Sequence, residues 1–316
     1  LTANGYTREY TVTYNYNGNG TANTQDKATY TFKNWNTNAG GTGDSYTDKQ
    51  VVEDLTNVAG GTVKLFAQWN DGSVTLPAPT REGYGFAGWY DAATGGNRVA
   101  GGGEKYVPTE NKTLYARWTT NGYTVVYDGN GATGGSTASS EHIYDVPKEL
   151  TANGYTREYT VTYNYNGSGA SNTTAKATYT FKNWNTAANG SGTTYTDKQK
   201  VKNLTNTPND TVILYAQWND GTVTLPTPTR TGYTFAGWYD AATGGSKIGD
   251  GGATYTPTAN KTLYARWSEN GYTVKYDGNG ATGGSTASSS HKYDEEKELT
   301  ANGYTREYTV TYNYNG

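Results

Sequence analysis

LTANGYTREYTVTYNYNG fills residues 1–18 and recurs without a change at 150–167 and 299–316. The starting points lie 149 residues apart, so the 316-residue chain reads as two copies of one long unit plus an 18-residue overlap. Self-similarity at a fixed period marks an array of stacked units. An enzyme ordinarily needs one asymmetric site, whereas an array repeats any site it carries, so repetition favours length, avidity or both. Within the stretch, Tyr10, Val12, Tyr14 and Tyr16 alternate with Thr and Asn, which places them on one face of a β-strand. The following Asn17-Gly18 tolerates the positive φ of a tight hairpin turn.

A finer, unequal repeat lies inside the 149-residue unit. TYTFKNWNT (29–37) leads through a Gly-rich loop to LFAQW (65–69), and GYGFAGWYDAATGG (83–96) leads to LYARW (114–118). The second copy gives TYTFKNWNT (178–186) with LYAQW (214–218), and GYTFAGWYDAATGG (232–245) with LYARW (263–267). All eight tryptophans belong to these motifs: Trp35, Trp69, Trp89, Trp118, Trp184, Trp218, Trp238 and Trp267. One pair per module is what a series of small separate cores requires, so all eight are expected to be core. Comparison of the copies supports the strand registers. In TVKLFAQW (62–69), Val63, Leu65, Ala67 and Trp69 share a face, while Lys64 on the other face becomes Ile213. In YTVVYDG (123–129), Val125 and Tyr127 face inward and Val126 becomes Lys275. Such exchanges are cheap only away from the interior. The single expected helical turn is TDKQVVEDL (47–55), where Val52 and Leu55 recur as Val201 and Leu204 at i,i+3 spacing.

The closing Trp strands set the expected modules: 1–69, a truncated long module; 70–118, short; 119–218, long; 219–267, short; and 268–316, a second truncated long module. Linkers of only a few residues imply end-to-end neighbours with little freedom. The fold expected is mainly β, an elongated tandem array of small antiparallel modules. The first residue, Leu1, and a last segment that stops inside a strand read as a window on a longer chain.

GYTFAGWYDAATGG, with PTPTRTGY before it and NKTLYARW after it, resembles the Listeria–Bacteroides repeat, the family of internalin B-repeats of bacterial surface proteins. The resemblance covers 70–118 and 219–267 nearly end to end. In the long module the YTVTYNYNG hairpin (159–167) interrupts the usual path into TYTFKNW. The resemblance implies a β-grasp-like fold, tandem arrays on secreted or wall-attached proteins, and a spacer or adhesive role. It carries no catalytic residues.

Composition narrows the alternatives. Apolar residues are only 33%, yet 31 Tyr and 8 Trp provide amphipathic bulk, so the cores should be small and aromatic. A net charge of −3 with interspersed signs lacks the basic stripe that nucleic acid demands. No run approaches the roughly 18 apolar residues of a membrane span, so no membrane insertion is expected in this segment. Absence of Cys and Met rules out disulfides, thiolate metal sites and thiol catalysis, and suits an extracellular cell-surface setting. The two histidines, His142 and His291, occupy one repeat position with no second ligand at metal spacing, so they read as structural. YDGNGATGGS (127–136) and DAATGG (91–96) lack the Lys-Ser/Thr ending of a phosphate loop and read as turns. An ion at the Asn70-Asp71-Gly72 junction is weighed against an Asx turn, which is favoured.

No catalytic, cofactor or metal site is therefore expected. The partners expected are neighbouring repeats, with like chains in a fibre or a host glycan or protein as further candidates. The reading is a stalk, spacer or fibre section that presents an adhesin. Its rival is a multivalent module that binds carbohydrate or host protein weakly through outward Tyr115 and Tyr264.

Overall fold

The computed structural model describes residues 1–316 and is all-β, without a helix. It divides into two compact units. Unit 1 comprises residues 1–126, 139–151 and 198–213, and unit 2 comprises 127–138, 152–197 and 214–316.

In unit 1 the strands are β1 (Arg8–Asn15), β2 (Thr24–Asn36), β3 (Ser45–Tyr46), β4 (Phe66–Asn70), β5 (Val74–Thr75), β6 (Tyr84–Tyr90), β7 (Arg98–Ala100), β8 (Lys105–Tyr106) and β9 (Lys112–Thr120). The main sheet runs β3-β2-β1-β9-β6-β7, with β4 also on β2, and β5 and β8 form a separate ribbon. β1 and β2 make an antiparallel hairpin from Arg8↔Tyr30 to Tyr14↔Thr24. Its turn uses Asn17 at φ 48° and Gly18 at φ 85°, the left-handed pair that Asn-Gly accommodates. β1 then lies parallel to β9, from Val12↔Lys112 to Asn15↔Tyr115, and Asn111 Oδ1 accepts the Thr11 N–H at 2.8 Å where the pairing begins. This central parallel pair departs from a wholly antiparallel module, and it joins residues on either side of the expected 69/70 boundary.

β2 serves two neighbours along its 13 residues. Its first half pairs with β1, and its second half pairs with β4 beyond a bulge at Phe32/Asn34. The core follows the period-two pattern: Val12, Tyr14, Ala28, Leu114 and Ala116 are buried around Trp89, which has no exposed surface. Tyr14 and Tyr16 meet the Trp89 ring at 5.1 and 5.5 Å between centroids, and Phe86 at 5.6 Å. Two further strand pairings belong to unit 1. The strand that opens at Gly122 pairs antiparallel with Ser140–Ile143, as Tyr123↔His142 and Val125↔Ser140, and Lys148–Glu149 pairs with Lys200–Val201.

Unit 2 repeats the arrangement 149 residues on. Tyr155–Asn164 and Thr173–Asn185 form the hairpin, and Val161↔Lys261 to Asn164↔Tyr264 is the parallel pair. Tyr233–Tyr239 lies antiparallel to Lys261–Glu269. Val161, Tyr163, Leu225, Leu263 and Ala265 are buried around Trp238.

The helical turn expected at 47–55 does not form. Lys49 and Asp54 adopt φ of 58° and 54°, and the second copy repeats this at Lys198 and Asn203, 54° and 57°. Left-handed residues at both ends cannot sit inside a right-handed helix. In the second copy Lys200–Val201 is instead a short strand on Lys148–Glu149, and Val201 is buried.

Candidate functional site

The eight tryptophans fall into two environments. Trp89, Trp184 and Trp238 are wholly buried, whereas Trp35, Trp69, Trp118, Trp218 and Trp267 keep part of their surface. The buried Trp89 and Trp238 donate Nε1–H to Pro77 O and Pro226 O, each at 2.8 Å, which satisfies the one polar atom of the ring. Trp184 packs on Tyr127 at 4.8 Å and Phe181 at 5.0 Å, and its Nε1 has no hydrogen-bond partner. Three of the four Trp residues that close a motif act as clamps on a preceding turn: Trp118 donates to Tyr16 O at 3.2 Å, Trp267 to Tyr165 O at 3.1 Å, and Trp218 to Gly129 O at 3.1 Å.

Their outer faces border shallow grooves. In unit 2 one groove, of about 500 Å³, is lined by Trp218, Arg157, Asn130, Asn189, Gln217 and Asp220 among others. A second, of about 560 Å³, has Trp267, Arg266, Arg230, Tyr233, Asn166 and Glu269. Each groove thus sets an aromatic ring beside amide, guanidinium and carboxylate groups. Tyr115 and Tyr264 lie elsewhere. Both are half-buried in mid-sheet, opposite Tyr90 and Tyr239 on one side and Asn15 and Asn164 on the other. Arg117 and Arg266 stack over Tyr90 and Tyr239 at 4.1 Å.

This repeated sheet and its paired Trp motifs have known relatives. The model of the Listeria-Bacteroides repeat domain matches residues 57–117 and 218–266. Two segments of this chain are Listeria–Bacteroides repeats. The chain is similar to internalin H of Listeria monocytogenes, 30% identical over 193 residues, which are 61% of this chain and 21% of that protein. It is also similar to two proteins of Evansella cellulosilytica whose names assign them provisionally to the membrane. One is 28% identical over 261 residues, covering 72% of this chain and 34% of that protein. The other, named as Gly-rich, is 26% identical over 306 residues, covering 80% and 31%. The chain thus spans between a fifth and about a third of the length of these curated relatives.

Outside the matched repeats, His142 lies 1% exposed, stacked on Tyr123 at 5.4 Å, with Nε2 at 2.9 Å from Ser140 Oγ and Nδ1 unpartnered. Burial pushes its pKa down, Lys148 adds to this and Glu141 opposes it. His291 keeps the same arrangement with Tyr272 and Ser289.

Three features escape sequence reasoning. Asp145 accepts Tyr84 O–H at 2.7 Å, Asn203 Nδ2 at 3.0 Å and Lys202 Nζ at 3.0 Å. The Asn203 bond, then those from Tyr84 and Lys202, hold its carboxyl well below the usual range. Its partners lie 61 and 57–58 positions away in sequence, and no local pattern links them. Asn36 and Asn185 are buried and each ties down the loop after its Trp motif; Asn36 bonds Gly43 through both amide atoms at 2.9 and 3.0 Å. Their signal is the second Asn of the repeated NWN, which reads as surface until its loop is seen. At the Asn70-Asp71-Gly72 junction, Gly72 is buried against Thr29, and a Cβ there would come within 2.7 Å of Thr29 O. Close backbone packing accounts for the glycine.

Proposed function

We propose that this chain is a structural repeat section of an extracellular bacterial surface protein, acting as a stalk, spacer or fibre that extends or presents an adhesin. The observation that carries the reading is that both copies of the 149-residue unit build one sheet in one register around one Trp, Trp89 and Trp238. Stability of this kind is a sum of module cores and nearest-neighbour contacts, which allows length to grow without a new fold. The strand order, with a parallel central pair flanked by antiparallel strands, supports β-grasp-like modules that run in tandem. Similarity to internalin H supports the cell-surface setting. Trp89, Trp184 and Trp238 serve the modules as core and Trp118, Trp218 and Trp267 as clamps, and the reading requires no catalytic group. Small-angle scattering on chains of one, two and four 149-residue units tests it. The radius of gyration should exceed the ~20 Å of a compact chain this long and grow nearly in proportion to copy number. A value that stays near the compact figure refutes the stalk.

A second reading rests on the grooves beside Trp218 and Trp267. There an aromatic edge, amides and a carboxylate converge, as a weak glycan site repeated along an array requires. Tyr115 and Tyr264 contribute less to it than the grooves do, since each is flanked by strands on both sides. Glycan-array binding that disappears in Asn189→Ala and Glu269→Ala variants supports this reading; binding unaffected by both removes it.

A further inference from the structure

The Asp145 cluster stands where the chain leaves the main sheet of unit 1 and enters the hairpin that follows. β9 ends at Thr120 and the next strand opens at Gly122, so only Asn121 connects them. Asn121 is tied in three directions: its N–H donates to Gly83 O at 2.9 Å, its carbonyl accepts Tyr144 N–H at 2.9 Å, and its Nδ2 donates to Asn206 O at 2.9 Å. Asn206 Nδ2 donates in turn to Glu82 Oε1 at 3.1 Å. Rings close the same place. Tyr144 meets Tyr84 edge to face at 5.8 Å, and Arg81 stacks on Tyr84 at 3.7 Å. Asp145 accepts from Tyr84, Asn203 and Lys202, and its backbone N–H donates to Asn203 Oδ1 at 2.6 Å.

Gly83 sets how close the two parts come. It is left-handed, φ 73°, and a Cβ there would lie 2.2 Å from the Tyr144 ring. No side chain fits without driving that ring away. Unit 2 builds the same joint from its own residues. Asn270 N–H donates to Gly232 O at 2.9 Å, and Tyr293 N–H to Asn270 O at 3.0 Å. Tyr233 O–H reaches Asp294 Oδ2 at 2.9 Å, and the Tyr233 and Tyr293 rings stand 5.8 Å apart. Gly232 has φ 78°, and its Cβ would again lie 2.2 Å from the tyrosine ring. Neighbouring positions differ between the joints: Glu82 is Thr231, Ile143 is Lys292 and Val146 is Glu295. The shared contacts do not depend on those neighbours.

A short connection between two folded parts ordinarily leaves them free to move. Here, bending at Asn121 must break its backbone hydrogen bonds, lift Tyr144 from Gly83 and pull Asp145 from its donors together. We propose that this contact is a lock that fixes the direction in which the chain passes from the main sheet into the next hairpin, with Gly83 and Tyr144 as its bearing and Asp145 as its latch. Its use as a stiff joint rests on the stalk reading, whereas the lock itself is measured without reference to length.

Spin labels on the whole chain test it, and the absence of native cysteine leaves each introduced pair unambiguous. Labels at Lys105→Cys and Glu141→Cys, both exposed strand positions, lie on the two sides of the joint. Labels at Lys105→Cys and Gln25→Cys lie on one side and serve as the control. Pulsed electron double resonance should give a single narrow distance distribution across the joint. Asp145→Ala and Gly83→Ala should each widen it about twofold or more, as a freed connection does, and leave the control pair as it was. A broad distribution in the chain without these two changes overturns the proposal. So does one that stays narrow in either variant, or a control pair that broadens with it, since the loss is then one of fold. A chain that fails the scattering test of length but passes this one keeps the lock and loses the stalk.

Discussion

Residues 8–15 and 306–313 have the same sequence and different structures. REYTVTYN is strand β1 in the first case, with Val12 at 0% and Tyr14 at 1% exposure. In the second it forms no strand, and Val310 and Tyr312 are 68% and 74% exposed. The middle copy sides with the first: Val161 and Tyr163 are 0% and 2% exposed. Intrinsic propensity is identical in the three, so it does not decide. What differs is the partner. β1 has β2 on one edge and β9 on the other, and Tyr155–Asn164 has the equivalents. Strand propensity is mostly the ability to fit a pleated, half-buried surface, and without that surface alternating Tyr and Val remain solvated.

The comparison can be broken most severely by taking the surface away from the other side. A peptide of residues 70–118 has β6 and β9 but not the hairpin that flanks them. It should be unfolded by circular dichroism and should fold when residues 1–36 are added; a cooperative melt of 70–118 alone would show that β1 is an accessory. Next in size is Trp89→Ala, which should cost about 3–5 kcal/mol in denaturant titrations and leave β1 as protease-sensitive as 306–313. Third is a matched pair. Val161→Ala should cost about 2 kcal/mol while Val310→Ala costs nothing, and amide exchange should be slow at 159–163 and fast at 308–312. Equal effects would mean that the third copy is in fact paired.

Acid provides a smaller perturbation. His142 has a folded pKa below its unfolded value of about 6.5. As pH falls below that value, the unfolded chain binds a proton that the folded chain refuses, so stability declines with acidification and is unaffected above pH ~7. Melting temperature between pH 7.5 and 5 should fall in the natural chain and fall less in His142→Gln. Smallest of all is Val126→Lys, a change the sequence itself makes at Lys275, which should stay within about 0.5 kcal/mol. A larger loss would place Val126 on the inner face and invert the register of that strand.

Much of this fold was legible because its rules are local. The inward face of YTVVYDG follows from period two and from the Lys-for-apolar exchange, and Tyr123, Val125 and Tyr127 are buried accordingly. In TVKLFAQW the named face, Val63, Leu65, Ala67 and Trp69, is only half-buried, whereas Leu214 and Ala216 at the equivalent positions of the second copy are buried. Asn-Gly turns sit at positive φ at Asn17, Asn130 and Asn166. The parallel pairing was not legible: Thr11 and Asn111 are 100 residues apart, and an edge that accepts a parallel neighbour looks in sequence like any other edge. Nor was the Asp145 cluster, whose members read singly as surface residues. TDKQVVEDL misled for a physical reason. Its i,i+3 apolar pair does suit a helix, but Lys49 and Asp54 turn the backbone left-handed, and two apolar contacts do not outweigh that.

β2 has one more consequence. A strand that is hydrogen-bonded to β1 over its first half and to β4 over its second is a splice, in the carpenter's sense of one timber overlapping two. Flexing at that place requires backbone hydrogen bonds to break in a row, whereas a free linker bends at no cost. Tension that enters at β4 therefore passes into β1 and on to β9 through shear between strands, and the joint resists until several bonds fail together.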